Sequence, residues 1–210
     1  MNVPLTDMQM AAVAKLAYGS SRDGCLALLC GPRGVGKTEV LRRLAAEIAA
    51  TRSVAVRPAS GWDASAPLAA VMLVDDAHAV DTATLARILQ QCQERRPAAG
   101  LVLAGAGRLF TLVARDARLE QAVRLRVALP CLSTAESRRL LEATLQTALA
   151  APCSVDDDAA RAVHEIAGGA AADVIRLAEV AGVVMAAQPE RRLAAAAVEA
   201  IHARLSLAAA

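Results

Sequence analysis

Residues 31–38 read GPRGVGKT, a stretch whose residue types and spacing suit the binding of phosphate. Its three glycines allow backbone N–H groups to point inward at phosphate oxygens, and the start of a following helix would add its positive dipole end. Lys37 supplies a cation for the terminal phosphates, and the Thr38 hydroxyl is a ligand for Mg²⁺. The stretch fits the pattern G-x-x-x-x-G-K-[ST] at every position, so it predicts a nucleotide site.

Two adjacent carboxylates, Asp75 and Asp76, follow the apolar run VMLV at residues 71–74. By itself, a pair of acids after a short apolar run is usually a solvated strand end. With a phosphate-binding loop upstream, we favour a second buried strand that delivers a carboxylate to Mg²⁺. We therefore expect Thr38 and Asp75 to hold the metal and Asp76 to hold the attacking water. Lys37 and Asp76 are the predicted catalytic residues.

Strands and helices must position these side chains, and the hydrophobic pattern indicates both. Short apolar runs typical of buried strands occur at residues 25–30, 53–56, 71–74, 101–104 and 123–129. Helical spacing marks residues 6–18, 39–50 and 82–94. Strands that alternate with helices predict a parallel sheet with helices on both faces. The connection from the second strand to the third is close to the minimum for a parallel crossover, so we expect a single helical turn there.

The pattern changes after Leu132. Ser133 and Glu136 have the spacing of a capping box, and only helical periodicity follows. The predicted helices span residues 134–149, 156–167, 171–187 and 193–206. We therefore expect a nucleotide-binding α/β core over residues 1–132, including the N-terminal helix, and a helical lid subdomain over residues 133–210.

Composition excludes several classes of protein. The formal net charge is +2, so charge alone names no partner. The five cysteines form no C-x-x-C pair, which argues against a zinc site or a disulfide framework and favours a reducing compartment. No apolar stretch approaches the ~18 residues that a membrane span requires, and no signal-peptide pattern begins the chain. We expect a cytoplasmic protein without a membrane span.

The chain resembles the AAA+ ATPases, in particular the general secretion pathway type A ATPases and the transposition helper ATPases. The segments that carry this resemblance are LTDMQMAAVAKLAYG, LLCGPRGVGKTEVLRRLA, VMLVDDAHAVD, LVLAGAGRL and VRLRVALPCLSTAESRRLLEATL. The resemblance implies a P-loop NTPase with a three-layer α/β/α core, a five-stranded parallel sheet and an all-helical C-terminal lid. It also implies ATP and Mg²⁺ binding, and assembly into a homo-oligomer that serves an unidentified protein partner. The nucleotide-binding residues that we expect are Gly31, Pro32, Arg33, Gly34, Val35, Gly36, Lys37, Thr38, Glu39 and Arg176.

Two departures from this family concern hydrolysis. Asp76 stands where the family has Glu and is shorter by one methylene, or roughly 1 Å, an error that can cost on the order of a hundredfold in rate. The strand LVLAGAGRL should end in a polar residue that senses the γ-phosphate. Ala104 and Ala106 occupy that neighbourhood, and Thr111 lies farther along the chain. We therefore expect slow turnover.

Two further departures concern arginines. The family presents an arginine to a neighbouring subunit, and Ala122 falls at that position here. The alternative candidates, each of which could equally be a solvated or strand-pairing side chain, are Arg115, Arg118, Arg124 and Arg126. In the lid, Ala172 and Asp173 stand where many relatives have a nucleotide-contacting arginine, and Arg176 follows one turn later.

Three functions remain open from the sequence. The first is an ATP-binding switch with slow or partner-stimulated hydrolysis that controls assembly. The second is a non-hydrolysing ATP-dependent scaffold or DNA-associated filament protein, and the third is a phosphoryl transferase, for which no substrate-binding insertion is evident. His78 either relays nucleotide state to a subunit interface or is a plain loop residue. The arginines that could line a DNA-binding face are Arg22, Arg42, Arg43, Arg52, Arg57, Arg95 and Arg96. The small net charge and the lack of a DNA-binding motif argue against that role.

Overall fold

A computed structural model describes residues 5–20, 22, 24–187 and 192–207 of the chain, with side chains as far as residue 204. The parts of the two predicted domains at residues 1–4, 188–191 and 208–210 lie outside the described residues. The structure divides into two compact units. One unit is Asp7–Pro130, and the other comprises the chain from Cys131 onward together with the residues up to Thr6.

The first unit alternates helices and strands. Its elements, in chain order, are α1 (Asp7–Ser20), β1 (Leu26–Cys30), α2 (Lys37–Ile48), β2 (Val54–Pro58), β3 (Val71–Asp75), α3 (Thr82–Arg95), β4 (Gly100–Gly105), α4 (Arg108–Ala114), α5 (Ala117–Ala122) and β5 (Val123–Ala128). Single 3-10 turns occupy Ala59–Gly61, between β2 and β3, and Ala77–Ala79, after β3. The single turn between β2 and β3 confirms the expectation drawn from the short connection.

The strands form a five-stranded parallel sheet within the described residues, in the order β2-β3-β4-β1-β5. The register places Cys30, the last residue of β1, beside Gly105, the last residue of β4. Because all five strands run in the same direction, their carboxyl ends meet at one edge of the sheet. The glycine-rich loop, the two acids and the end of β4 are therefore brought to the same edge.

Alternate residues of each central strand pack on opposite faces of the sheet. Leu26, Leu28 and Cys30 of β1 belong to a buried cluster with residues of α3, α4 and α5. The intervening Ala27 and Leu29 are equally buried and face α1 and α2, which contact the sheet from the other side. Continuous burial of β1, β3 and β4 explains their unbroken apolar sequences. The first unit is thus the three-layer α/β/α arrangement that the alternation predicted.

The second unit is built from helices α6 (Thr134–Leu149), α7 (Asp157–Ala167), α8 (Ala171–Ala186) and α9 (Ala195–Leu207). The capping box at the start of α6 is confirmed, since the Ser133 side chain accepts from the Glu136 N–H and the Glu136 side chain accepts from Ser133. The unit also contains a short parallel pair, β6 (Ser154–Val155) and β7 (Arg192–Leu193), which the sequence did not predict. Two-residue strands are too short to leave a periodic pattern.

None of the helices in the described part of the chain is long and apolar enough to cross a lipid bilayer.

Candidate nucleotide site

The glycine-rich loop connects β1 to α2 and is anchored at its first residue. The Gly31 N–H donates to the Gly105 carbonyl at 3.2 Å, and a Cβ at position 31 would lie only 2.3 Å from the Leu129 carbonyl oxygen. Gly36 precedes α2 with φ at 95°, a left-handed conformation that is unfavourable for residues with a Cβ atom. These two positions require glycine for geometric reasons, so the sequence pattern reflects the shape of the loop.

Lys37 directs its ammonium group into the loop. It is 9% exposed, and its Nζ donates to the carbonyls of Gly31 at 2.9 Å and Pro32 at 2.7 Å. Burial lowers the pKa of this lysine, an effect that the nearby carboxylates of Asp75 and Asp76 oppose. The loop therefore holds a partly desolvated cation at its centre, and such a cation is well suited to bind phosphate.

The structure brings the two predicted metal ligands together from positions 37 residues apart. The Thr38 hydroxyl donates to Asp75 Oδ2 at 2.6 Å, and the other carboxylate oxygen of Asp75 accepts from the Asp76 N–H at 2.9 Å. Oxygen ligands of this kind are those that Mg²⁺ prefers. No cluster of three or more His, Cys, Asp or Glu side chains suited to a metal occurs in the part of the chain that the structure describes. A divalent ion at Thr38 and Asp75 would therefore complete its coordination with phosphate oxygens and water.

Asp76 extends into solvent from the end of β3. Its backbone is left-handed, with φ 51° and ψ 33°, and its side chain is 65% exposed. The 3-10 turn that follows contains His78, whose Nδ1 lies 4.0 Å from Asp76 Oδ1. The two acids thus differ in environment, because Asp75 is engaged by two donors while the Asp76 carboxylate is open to solvent.

The remaining predicted nucleotide-binding residues lie in the loop, at the start of α2 and on α8. Pro32 and Arg33 are exposed in the loop, and Val35 is buried in the core, so its contribution to phosphate binding would come from its backbone. The Glu39 side chain pairs with Arg42 at 3.2 Å along α2. Because a carboxylate repels phosphate, the contribution of Glu39 to phosphate binding would also come from its backbone N–H. Arg176 is an exposed residue of α8, in the second unit.

Gln9, on α1, contacts the loop and is a site residue that the sequence reasoning missed. It is 6% exposed, and its Nε2 donates to the Val35 carbonyl at 3.0 Å. A Cβ at Gly36 would lie 2.3 Å from the same nitrogen. The sequence analysis placed Gln9 only within the helix predicted over residues 6–18. The available signal was its place on the buried face of α1, where it lies three, four and seven residues before Ala12, Val13 and Leu16.

The end of β4 carries no polar side chain toward the site. Ala104 is fully buried, Ala106 is half-buried, and Thr111 is exposed on α4. The backbone of His78 lies against Gly105, where an added Cβ would come within 3.0 Å of the His78 nitrogen. The turn after β3 therefore packs against the end of β4.

The seven arginines considered for a DNA-binding face are engaged within the protein. Arg52, Arg57, Arg95 and Arg96 donate to backbone carbonyls, and the last three of these hold the connection between β2 and β3. Arg42 and Arg43 pair with Glu39 and Glu47, and Arg22 contacts Tyr18. The carbonyl contacts indicate structural roles for Arg52, Arg57, Arg95 and Arg96, whereas the contacts of the other three arginines are exposed.

The four arginines considered for contact with a neighbouring subunit differ in their surroundings. Arg126 is paired with Glu120 of its own chain. Arg115 and Arg118, around the start of α5, and Arg124, on the edge strand β5, are exposed. The pairing of Arg126 makes it the weakest of the four candidates.

Several solved structures share this architecture. The Holliday junction branch migration motor RuvB of Thermotoga maritima matches with a TM-score of 0.70 and 16% identity, covering 97% of this chain and 70% of RuvB. The ORC2 protein of Aeropyrum pernix, solved as ADPNP-ADP complexes, matches with a TM-score of 0.66 and 14% identity over 97% of this chain and 69% of its own. The chain has the AAA+ P-loop fold. NtrX of Brucella abortus, solved in complex with ATP, matches with a TM-score of 0.70 and 14% identity over 94% of this chain and 54% of its own.

The similarity of the chain to known proteins is limited to the AAA+ fold. No protein-family model matches the chain, and no curated protein matches it either. The TM-scores of 0.66 and 0.70 show that the fold is shared, and identities of 14% and 16% show nothing narrower than the fold.

Proposed function

We propose that the chain is an AAA+ protein that binds ATP with Mg²⁺ and hydrolyses it slowly, or mainly when a partner stimulates it. The nucleotide then acts as a switch for assembly. The observation that carries this proposal is the contact of 2.6 Å between Thr38 and Asp75, which joins the glycine-rich loop to the end of β3. With Lys37 inside the loop, this contact gathers a cation and a pair of metal ligands at one edge of the sheet.

Each residue of the loop has a defined task in binding. Backbone N–H groups of residues 33–39 would bind phosphate oxygens, and the positive end of α2 would favour the negative charge. Lys37 would exchange its carbonyl partners for the terminal phosphates. Thr38 and Asp75 fit Mg²⁺ because both present oxygen atoms, and the ion would offset phosphate charge when bound. The ATP and ADPNP complexes of the structural neighbours support ATP as the nucleotide.

Hydrolysis would depend on Asp76. Its exposed carboxylate is the group available to hold the attacking water, since the Asp75 carboxylate is engaged by Thr38 and by the Asp76 N–H. Its short side chain and the absence of a polar side chain at Ala104 and Ala106 favour slow turnover. A misplacement of roughly 1 Å can reduce the rate on the order of a hundredfold.

Stimulation would come from a second copy of the chain or from another protein. Arg115, Arg118 and Arg124 are the candidates for an arginine that completes a neighbouring site, and Arg176 of α8 is the candidate for contact with the nucleotide. Such an arginine can be worth about 10³–10⁵ in rate. We propose a homo-oligomer of the general secretion pathway type A or transposition helper branch, acting in the cytoplasm.

The alternative is a scaffold that binds ATP without hydrolysing it. The small side chains Ala104 and Ala106 at the end of β4 favour this alternative, because they provide no hydrogen bond to a γ-phosphate. A DNA-associated filament has less support, because the seven arginines considered for a DNA-binding face make contacts within the protein.

Calorimetry with Mg²⁺-ATP, paired with steady-state phosphate release over a range of protein concentrations, separates these possibilities. Lys37→Ala is the matched control, because it removes the loop cation and should abolish binding. Tight binding with a rate that rises with protein concentration supports the hydrolytic switch. Tight binding without turnover at any concentration supports the scaffold, and the absence of binding contradicts both.

A further inference from the structure

His78 has a polar atom that the proposed function does not use. The Nδ1 atom of its imidazole is buried and forms no hydrogen bond within the described residues. A buried polar group without a partner carries a desolvation cost that nothing offsets. An apolar side chain in this turn would avoid that cost, so the presence of histidine indicates a state of the protein in which Nδ1 is paired.

Asp76 is the group within reach of this nitrogen. Its Oδ1 lies 4.0 Å from His78 Nδ1, slightly beyond hydrogen-bonding distance. The side chain is 65% exposed, so it can rotate without disturbing the core. The neighbouring Asp75 accepts from Thr38 and from the Asp76 N–H, and no contact joins it to His78 in the described residues.

The backbone on both sides of this pair is fixed. The left-handed conformation of Asp76 starts the 3-10 turn of Ala77–Ala79, and the Ala79 N–H donates to the Asp76 carbonyl at 2.8 Å. His78 packs against Gly105, where a Cβ would come within 3.0 Å of its nitrogen and 3.2 Å of its Cβ. The imidazole is therefore carried on a rigid turn, and the carboxylate is the member of the pair that is free to move.

We propose that His78 is a positioning residue that donates a hydrogen bond from Nδ1 to the Asp76 carboxylate. This inference rests on the proposed function, in which Asp76 holds the attacking water. A carboxylate one methylene shorter than glutamate and exposed to solvent has many orientations, and a second hydrogen bond restricts them. The pair thus offsets part of the disadvantage of Asp76 by reducing its freedom.

The tautomer of His78 tests the pair without any nucleotide. A hydrogen bond from Nδ1 to Asp76 stabilises the Nδ1–H tautomer of the neutral ring, whereas an imidazole in water prefers Nε2–H. The chain has three histidines, so ¹⁵N and ¹³C chemical shifts can be assigned with His164→Gln and His202→Gln variants. We expect the Nδ1–H tautomer in the unsubstituted chain and a shift to Nε2–H in Asp76→Ala. The same tautomer in both proteins would overturn the proposal.

Phosphate release by three variants tests the consequence. His78→Asn places an amide nitrogen near the position of Nδ1, and His78→Gln places one near Nε2. We expect His78→Asn to retain most of the turnover, and His78→Gln and His78→Leu to lose about 10-fold to 100-fold with Mg²⁺-ATP affinity unchanged. Equal losses in the Asn and Gln variants would contradict the inference.

Stability separates this role from a purely structural one. His78→Leu loses a single hydrogen bond to an exposed carboxylate and leaves no buried polar atom unpaired, so its melting temperature should stay close to that of the unsubstituted chain while turnover falls. A large loss of stability that accounts for the loss of turnover would overturn the proposal. If the tautomer depends on Asp76 but no variant hydrolyses ATP, the pair stands and the hydrolytic function fails. If ATP is hydrolysed but the tautomer is independent of Asp76, the function stands and the pair fails.

Discussion

Asp76→Glu should accelerate hydrolysis. The added methylene extends the carboxylate by roughly 1 Å, the scale of misplacement that costs on the order of a hundredfold in rate. An increase of that size corresponds to about 2.7 kcal/mol in activation free energy, because each factor of ten is worth about 1.36 kcal/mol. Since the Asp76 side chain is 65% exposed, the longer residue has space. We expect the steady-state rate of phosphate release to rise by about 10-fold to 100-fold.

The same substitution should slightly destabilise the protein. Asp76 has φ 51°, and aspartate tolerates this left-handed region better than glutamate does, because its short side chain can form local hydrogen bonds. We expect the free energy of unfolding to fall by up to about 1 kcal/mol, measured by urea denaturation. A faster enzyme that is less stable would be consistent with a backbone conformation that favours aspartate at this position.

Asp76→Asn is the matched control because it keeps the size of the side chain and removes its charge. It should bind Mg²⁺-ATP with unchanged affinity and lose turnover. If Asp76→Glu binds ATP normally and hydrolyses it no faster than the unsubstituted chain, the length of the acid does not limit the rate. The explanation for slow turnover would then have to lie at the end of β4 or in a missing partner.

Three further predictions concern other parts of the chain. Gln9→Leu should lower the free energy of unfolding by about 1–3 kcal/mol in urea titrations, since it leaves a loop carbonyl unpaired, and it should weaken ATP binding in calorimetry, whereas unchanged affinity would contradict its role. Ser133→Ala should cost about 1 kcal/mol at neutral pH. Hydrogen bonds from Ser133 hold the pKa of Glu136 below its ordinary value, so this contribution is present above the ordinary carboxyl pKa and is lost as the pH falls through the lowered one. Denaturation of both proteins across that range checks the sign. One of the substitutions Arg115→Ala, Arg118→Ala and Arg124→Ala should abolish the concentration-dependent part of phosphate release, whereas Arg126→Ala, which breaks an internal ion pair, should leave it intact.

The fold followed closely from the sequence wherever burial was continuous. The strand predicted over residues 71–74 is observed as Val71–Asp75, because both faces of β3 are covered and its apolar run is unbroken. Helices α4 and α5 were not predicted. They are seven and six residues long, too short to show clear helical periodicity.

The candidate site was less accessible to sequence reasoning. The loop motif located Lys37 and Thr38, and the second apolar run located Asp75, but contacts between distant residues leave no local pattern. The hydrogen bond from Gln9 to Val35 and the packing of His78 on Gly105 each join residues 26 or more positions apart. The same reason hid the contacts of Arg52, Arg57, Arg95 and Arg96, four of the candidates for a DNA-binding face, which donate to distant backbone carbonyls.

The hydrogen bond between Gln9 and the loop makes the first helix part of the nucleotide site. A change in the position of α1 must stretch or break this bond, and therefore changes the loop that would bind phosphate. Met8, Met10 and Tyr18 of the same helix are exposed to solvent. A ligand that binds this exposed side and alters nucleotide affinity by some factor would have its own affinity altered by the nucleotide by the same factor, since thermodynamic coupling is reciprocal. The buried amide of Gln9 thus couples nucleotide binding at the loop to ligand binding at the exposed surface of α1.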